Sequence, residues 1–150
     1  MPCTAHSRRA AGVTLTEILV VLVVLAILIA VAIPAYRHYV IRANRGDARR
    51  DLVALAVQMQ RCFERAGDYR HDAAGSSSPC LLLPQTNAEG TYAVSFADGL
   101  PTASSFRLVA KPRGEQVADA GCGALTLDEK GQRGVTGSDP PEECWREPGD

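Results

Sequence analysis

The chain has 150 residues, room for one ordinary domain and not for two. Hydrophobic residues make up 46% of it, but a large share of them is gathered between residues 13 and 35. A formal net charge of −1 excludes a broad electrostatic field for nucleic acid, and without residues 1–12 the balance becomes 14 basic against 17 acidic, or −3.

The first predicted element is apolar. His6, Arg8 and Arg9 precede a run from Ile18 to Ile33 that contains nothing polar, with Glu17 at its head. Three readings fit this pattern. A secretory signal would be cut near Ala30-Val31-Ala32. An uncut span would use Ile18–Tyr36, whose 19 residues approach the roughly 20 that a bilayer requires. In the third reading the cut falls before the run, at Gly12, and the run is kept. Charge bias does not decide among them. Arg37, Arg42, Arg45, Arg49 and Arg50 follow the segment and outnumber the cations before it, which by simple counting places the C-terminal side in the cytoplasm. Yet four of the five cysteines, Cys62, Cys80, Cys122 and Cys144, also lie on that side, where two disulfides would need an oxidising compartment. Cys3 lies ahead of the run.

The segment Gly12-Val13-Thr14-Leu15-Thr16-Glu17, followed by an unbroken apolar helix, resembles the type III signal of type IV pilins and pseudopilins. The resemblance implies cleavage after Gly12, methylation of the new amine on Val13, and retention of the helix. Val13 stands where phenylalanine is usual and Thr16 where isoleucine or leucine is usual; neither touches the glycine or the glutamate. Pro34 falls where pilins commonly carry a proline. The implied division is a leader at 1–12, an apolar helical half at 13–36 that spans the membrane or lies in a filament core, and a periplasmic or extracellular globular domain at 37–150. Glu17 then has a physical rationale. An ionised carboxylate near the bilayer interior costs on the order of 3 kcal/mol, and cleavage would create an amine one helical turn away on the same face. The resemblance implies that Glu17 meets the amine of a neighbouring subunit on assembly. A plainer role is that of a carboxylate favoured by the helix dipole.

Beyond Pro34, which kinks or softens a helix, the pattern becomes a stripe. Tyr36, Tyr39, Val40 and Ala43 begin it, and Leu52, Leu55, Ala56, Met59, Phe63 and Ala66 continue it at helical spacing. Arg45, Arg49, Asp51, Gln58, Arg61 and Arg65 are expected around the rest of the circumference. One helix from about Val13 to Arg65 is predicted, roughly 80 Å long, with Gly46 a second weak place. Residues 67–90 read as loop, with Leu81-Leu82-Leu83 packing down beside Cys80. Strands are expected at Thr91–Phe96, Ser105–Lys111, Ala124–Leu127 and Arg133–Thr136, with Pro112 ending the second. The predicted class is α+β: a pilin fold in which the long helix packs on a small antiparallel sheet.

Four cysteines allow three pairings. The stretch "CGALTLDEKGQRG" with a later "CW" resembles the C-terminal half of the PilE-like minor pilin branch, which implies Cys122–Cys144 and leaves Cys62 with Cys80. Trp145 is expected to pack beside the bridge.

Nothing suggests an enzyme. There is no P-loop, G-x-S-x-G or H-E-x-x-H, and His6, His38 and His71 are scattered. No cofactor or metal is expected. The resemblance implies a structural subunit of a type IV pilus, supporting assembly, twitching motility and adhesion. Its partners would be other pilin subunits, the prepilin peptidase, the inner-membrane assembly platform and, before assembly, the lipid bilayer. Alternatives are a pseudopilin of a type II secretion system and a DNA-uptake or adhesive pilin. Arg42, Arg45 and Arg49 share a helix face and could meet DNA, but Asp47 and Asp51 lie close by. A solvated or inter-subunit face is the favoured role for them, and nucleic acid is not an expected partner.

Overall fold

A computed structural model describes residues 14–146. The elements run α1 (Leu15–Ala66), β1 (Gln85–Thr86), β2 (Tyr92–Phe96), β3 (Arg107–Pro112), a 3₁₀ turn (Gly114–Ala118), β4 (Leu125–Asp128), β5 (Arg133–Val135) and α2 (Pro141–Cys144). The chain divides into two compact units, one ending at His38 and the other beginning at Tyr39.

In the first unit α1 is apolar all round from Ile18 through Ile33, and every residue of that run is exposed in the isolated chain. It is long and apolar enough to cross a membrane. Thr14 starts it. The Glu17 amide donates to the Thr14 carbonyl at 3.1 Å and lies 3.3 Å from Thr14 Oγ1, so a threonine side chain and carbonyl satisfy a donor of the first turn. Pro34 lies inside α1 and does not end it.

The second unit carries the core. β1 to β5 form one antiparallel sheet in sequence order, a meander without crossovers. Register places Val94, Ala110, Leu125 and Val135 in one cross-strand row and Phe96, Leu108 and Leu127 in the next. Period-two alternation turns these toward Ala48, Leu52, Leu55 and Met59 of α1, where Tyr69, Phe106 and Trp145 complete the cluster. Leu52, Met59, Tyr92, Leu108 and Leu125 have no exposed surface. Each such side chain contributes about 1.5–3 kcal/mol by burial, so Leu52→Ala would cost several kcal/mol once its cavity is included.

Four strands stand at the predicted places, and Pro112 closes β3. Three elements emerge from stretches without periodic pattern: β1, inside the segment expected to be loop; the 3₁₀ turn; and α2. Of the three leucines expected beside Cys80, Leu81 is buried and Leu83 packs against the core, while Leu82 is 82% exposed.

The helical stripe needs correction. Tyr36 and Tyr39 are exposed, whereas Arg49, expected on the outside, is buried. The reason is angular. Ala43 and Leu52 are nine residues apart, about two and a half helical turns, so they point in opposite directions. Arg45 and Leu52 are seven apart, close to two full turns, and Arg45 and Arg49 fall on or near the core side.

β5 is short, three residues long, and is contacted from its own chain. The Trp145 indole N–H donates to the Gly134 carbonyl at 3.1 Å, and α2 packs beside the strand. At the other edge β1 is two residues long and follows Pro84.

Candidate functional site

Three regions carry the chemistry. The first is the start of α1. Gly12 and Val13, the expected cut and methylation site, lie outside the described residues. Glu17 occupies the first turn of α1, the acidic residue that suits the helix dipole there, three residues after the threonine that receives its amide.

The second is a polar clip between α1 and the 3₁₀ turn. Arg45 binds Asp119 through two bonds, Nε to Oδ2 at 2.9 Å and Nη2 to Oδ1 at 2.7 Å. The side chains retain 15% and 7% of their exposure, so the pair is largely withdrawn from water. Gln116 is buried beside it and divides its amide among four groups. Its Nε2 donates to the Ile41 carbonyl, Tyr92 Oη and Asp119 Oδ2 at 3.1–3.3 Å, while its Oε1 accepts from Asn44 Nδ2 at 3.0 Å. Burial pushes the Tyr92 phenol up to about 12, against a smaller downward pull from the Gln116 bond. Among the described residues no buried side-chain nitrogen or oxygen is left without a hydrogen bond.

The clip settles the fate of the Arg42, Arg45 and Arg49 face. Arg45 is held by Asp119, and Arg49 is buried and donates to the Arg146 carbonyl. Two of the three cations therefore face inward and cannot form a surface patch for DNA. Arg50 pairs with Asp47 one turn back.

The third region is the C-terminal loop. Cys122–Cys144 closes it, and Cys62–Cys80 ties the end of α1 to the following loop; these are the pairings the resemblance implied. In the chain-entropy model, separations of 18 and 22 residues give each bridge about 3 kcal/mol. Inside the Cys62–Cys80 loop Asp68 is held low, to about 2, chiefly by hydrogen bonds from the Arg70 side chain and then its amide. The backbone around Cys122 is tightly folded: a Cβ on Gly137 would fall on the Gly121 carbonyl, and one on Gly123, at φ +60°, would lie 2.7 Å from Thr136 Oγ1. Trp145 packs beside the bridge, 5% exposed, with the Arg133 guanidinium 5.3 Å from its ring centre. Asp139 approaches Cys122 and Cys144 closely enough to suggest a metal triad. Both sulfurs are spent in the disulfide, however, and one carboxylate remains.

Sequence reasoning did not single out Asn44, Gln116 or Asp119, which lie in segments without motif. The seven-residue spacing from Arg45 to Leu52 was the signal available for the inward arginine.

Comparison with known proteins agrees with this architecture. Residues 34–126 match the family described as type IV minor pilin ComP, DNA uptake sequence receptor. Residues 7–33 match the prokaryotic N-terminal methylation motif. Among solved structures the chain is similar to a type IV pilin from Shewanella oneidensis, at 26% identity and a TM-score of 0.51, covering 71% of this chain and 99% of that one. A long apolar-headed helix on an antiparallel meander, two disulfides and a processing motif at the head thus coincide with a family match over more than half the sequence: the chain belongs to the ComP family of type IV minor pilins.

Proposed function

We propose that this minor pilin enters a type IV filament after cleavage following Gly12 and methylation of Val13, and that it serves DNA uptake from there. The observation that carries the reading is the family match over residues 34–126 directly after a methylation motif over 7–33. Before assembly the apolar half of α1 sits in the inner membrane with its N-terminus cytoplasmic, where the prepilin peptidase cuts it and the assembly platform receives it. The protein does no catalysis of its own. Glu17 pairs with the amine of a neighbouring subunit. Twitching and adhesion follow from filament membership and are secondary to uptake.

DNA contact cannot rest on net charge, which is −3 for the chain from Val13 onward. Nor does it rest on Arg45 or Arg49, for the reasons above. Lys111 and Arg113, exposed at the end of β3, offer a local cationic pair. The N-terminal mass of the mature protein tests the processing: a start at methylated Val13 supports it, and a start at Ile33 or Met1 overturns it. Titration of labelled duplex DNA at several salt concentrations tests uptake. Lys111→Ala and Arg113→Ala should each lower the salt slope by about 1, and no salt-dependent binding by the intact protein would refute the DNA role.

A further inference from the structure

The apolar run of α1 has polar residues at both ends, and their spacing is close to the thickness of a bilayer. An 18-residue window of α1 reaches a mean hydropathy of 3.3 with none of it buried. Glu17 stands at the head of the run, and Tyr36 and Arg37 follow Pro34 and Ala35 at its foot. From Glu17 to Tyr36 the helix advances by nineteen residues. That is about 28 Å at roughly 1.5 Å per residue, against a hydrocarbon layer of about 30 Å. The helical pattern assigns Tyr36 to a buried stripe, but in the structure it is 69% exposed. It lies with Arg37 at the end of the first unit, in which no described residue is buried. A tyrosine joins an apolar ring to one polar tip, and an arginine carries its charge on a long apolar stem. Both suit the boundary between hydrocarbon and headgroups.

We infer that Tyr36 and Arg37 form an interfacial anchor on the headgroups of the outer leaflet of the inner membrane, and that this anchor fixes the depth of the helix before assembly. The ring lies at headgroup level and the guanidinium binds lipid phosphate. The inference rests on the membrane reading above and adds what stops the span from sliding. Glu17 opposes movement away from the cytoplasm, because that would draw its carboxylate into hydrocarbon. The run itself opposes neither direction, since Ile18–Ile33 is uniformly apolar. Tyr36 and Arg37 supply the missing resistance: sliding toward the cytoplasm would take a hydroxyl and a cation away from their polar partners. An interval this close to the hydrocarbon thickness leaves little length for tilt to take up. The two ends together therefore define one depth.

The test uses the full chain reconstituted in phosphatidylethanolamine–phosphatidylglycerol vesicles, with an introduced tryptophan as depth probe. The quenchers are lipids brominated either near the headgroup or near the bilayer centre, and the unaltered chain supplies the Trp145 background. Tyr36→Trp should be quenched chiefly by the shallow bromolipid. Ile27→Trp, at the middle of the interval, should be quenched chiefly by the deep one. Adding Tyr36→Ala and Arg37→Ala to Ile27→Trp should move that probe off centre by about one helical turn, about 5.4 Å, whereas Arg37→Lys leaves it in place. Alanine favours the helix, so the shift would not report unwinding. Three results would each overturn the inference alone: position 36 shielded from both lipids, as contact with another copy of the chain would leave it; position 36 quenched from the bilayer centre; or a probe at 27 that the double alanine change does not move. A chain that fails to float with the vesicles would overturn the membrane reading itself.

Discussion

Replacing Arg45 by methionine keeps most of the side chain's length and apolar stem but removes the guanidinium from Asp119. That carboxylate, 7% exposed, loses both of its short bonds and keeps the longer one from Gln116 at 3.3 Å. Breaking one side of a buried pair costs about 3–5 kcal/mol. The surviving amide donor places this case near the lower end, at about 3 kcal/mol. For a domain whose total stability is of order 5–15 kcal/mol, that is a large fraction. With a urea m value of about 2 kcal/mol per molar, the unfolding midpoint should fall by about 1.5 M. Adding Asp119→Asn to the same variant removes the stranded charge and should restore more than half of the loss, since contacting sites are not additive. The assay is urea unfolding of the unit from Tyr39 onward, with tryptophan fluorescence from Trp145. A midpoint shift below about 0.3 M for Arg45→Met would refute the reasoning and return Arg45 to the surface, where loss of DNA affinity with stability intact would be the expected signature.

Further outcomes follow from other parts of the second unit. Gly137→Ala drives a methyl group into the Gly121 carbonyl and should cost about 3 kcal/mol, read as a lower thermal midpoint. Alkaline titration should expose Tyr92. Its folded pKa, about 12, lies above the ordinary 10, so its contribution is fully present below pH 10 and is lost as pH rises toward 12. The loss should amount to about 2–3 kcal/mol and be absent in Tyr92→Phe, as followed by unfolding at stepped pH. Replacing Cys62 and Cys80 together by serine should lower unfolding free energy by about 3 kcal/mol, with Cys122–Cys144 still formed on a peptide map.

Much of the fold is legible because its signals are local and repeated. The apolar run, the alternation in β2, β3 and β4, and Pro112 each state a conformation within a few residues. The bridges were legible as a set of four cysteines, though the pairing came from family likeness and not from spacing. What escaped depends on partners distant in sequence. The two residues of β1 are a strand only because Val94 and Ala93 stand opposite them. Asn44, Gln116 and Asp119 form a unit only when residues more than seventy positions apart meet. Arginine also misleads, since its charge suggests solvent while its long stem and fixed fork suit burial beside a carboxylate. The outward tyrosines show the converse. Tyr36 and Tyr39 are apolar enough to suggest a core, yet both are exposed, and for Tyr39 the angular offset to Leu52 turns it away from the core.

The short edge strands of the sheet have a consequence for a polymer. A filament holds many folded domains side by side for its whole lifetime, at a crowding that would let any bare strand recruit its neighbour. Here β5 is three residues long with α2 packed beside it at one margin, and at the other β1 is too short to template a partner. Both margins thereby offer only short templates for strand exchange. Lateral order between subunits then has to come from side chains and helices, contacts that can be released. A fibre built in that way can be taken apart subunit by subunit, whereas one zipped through its sheets would be permanent.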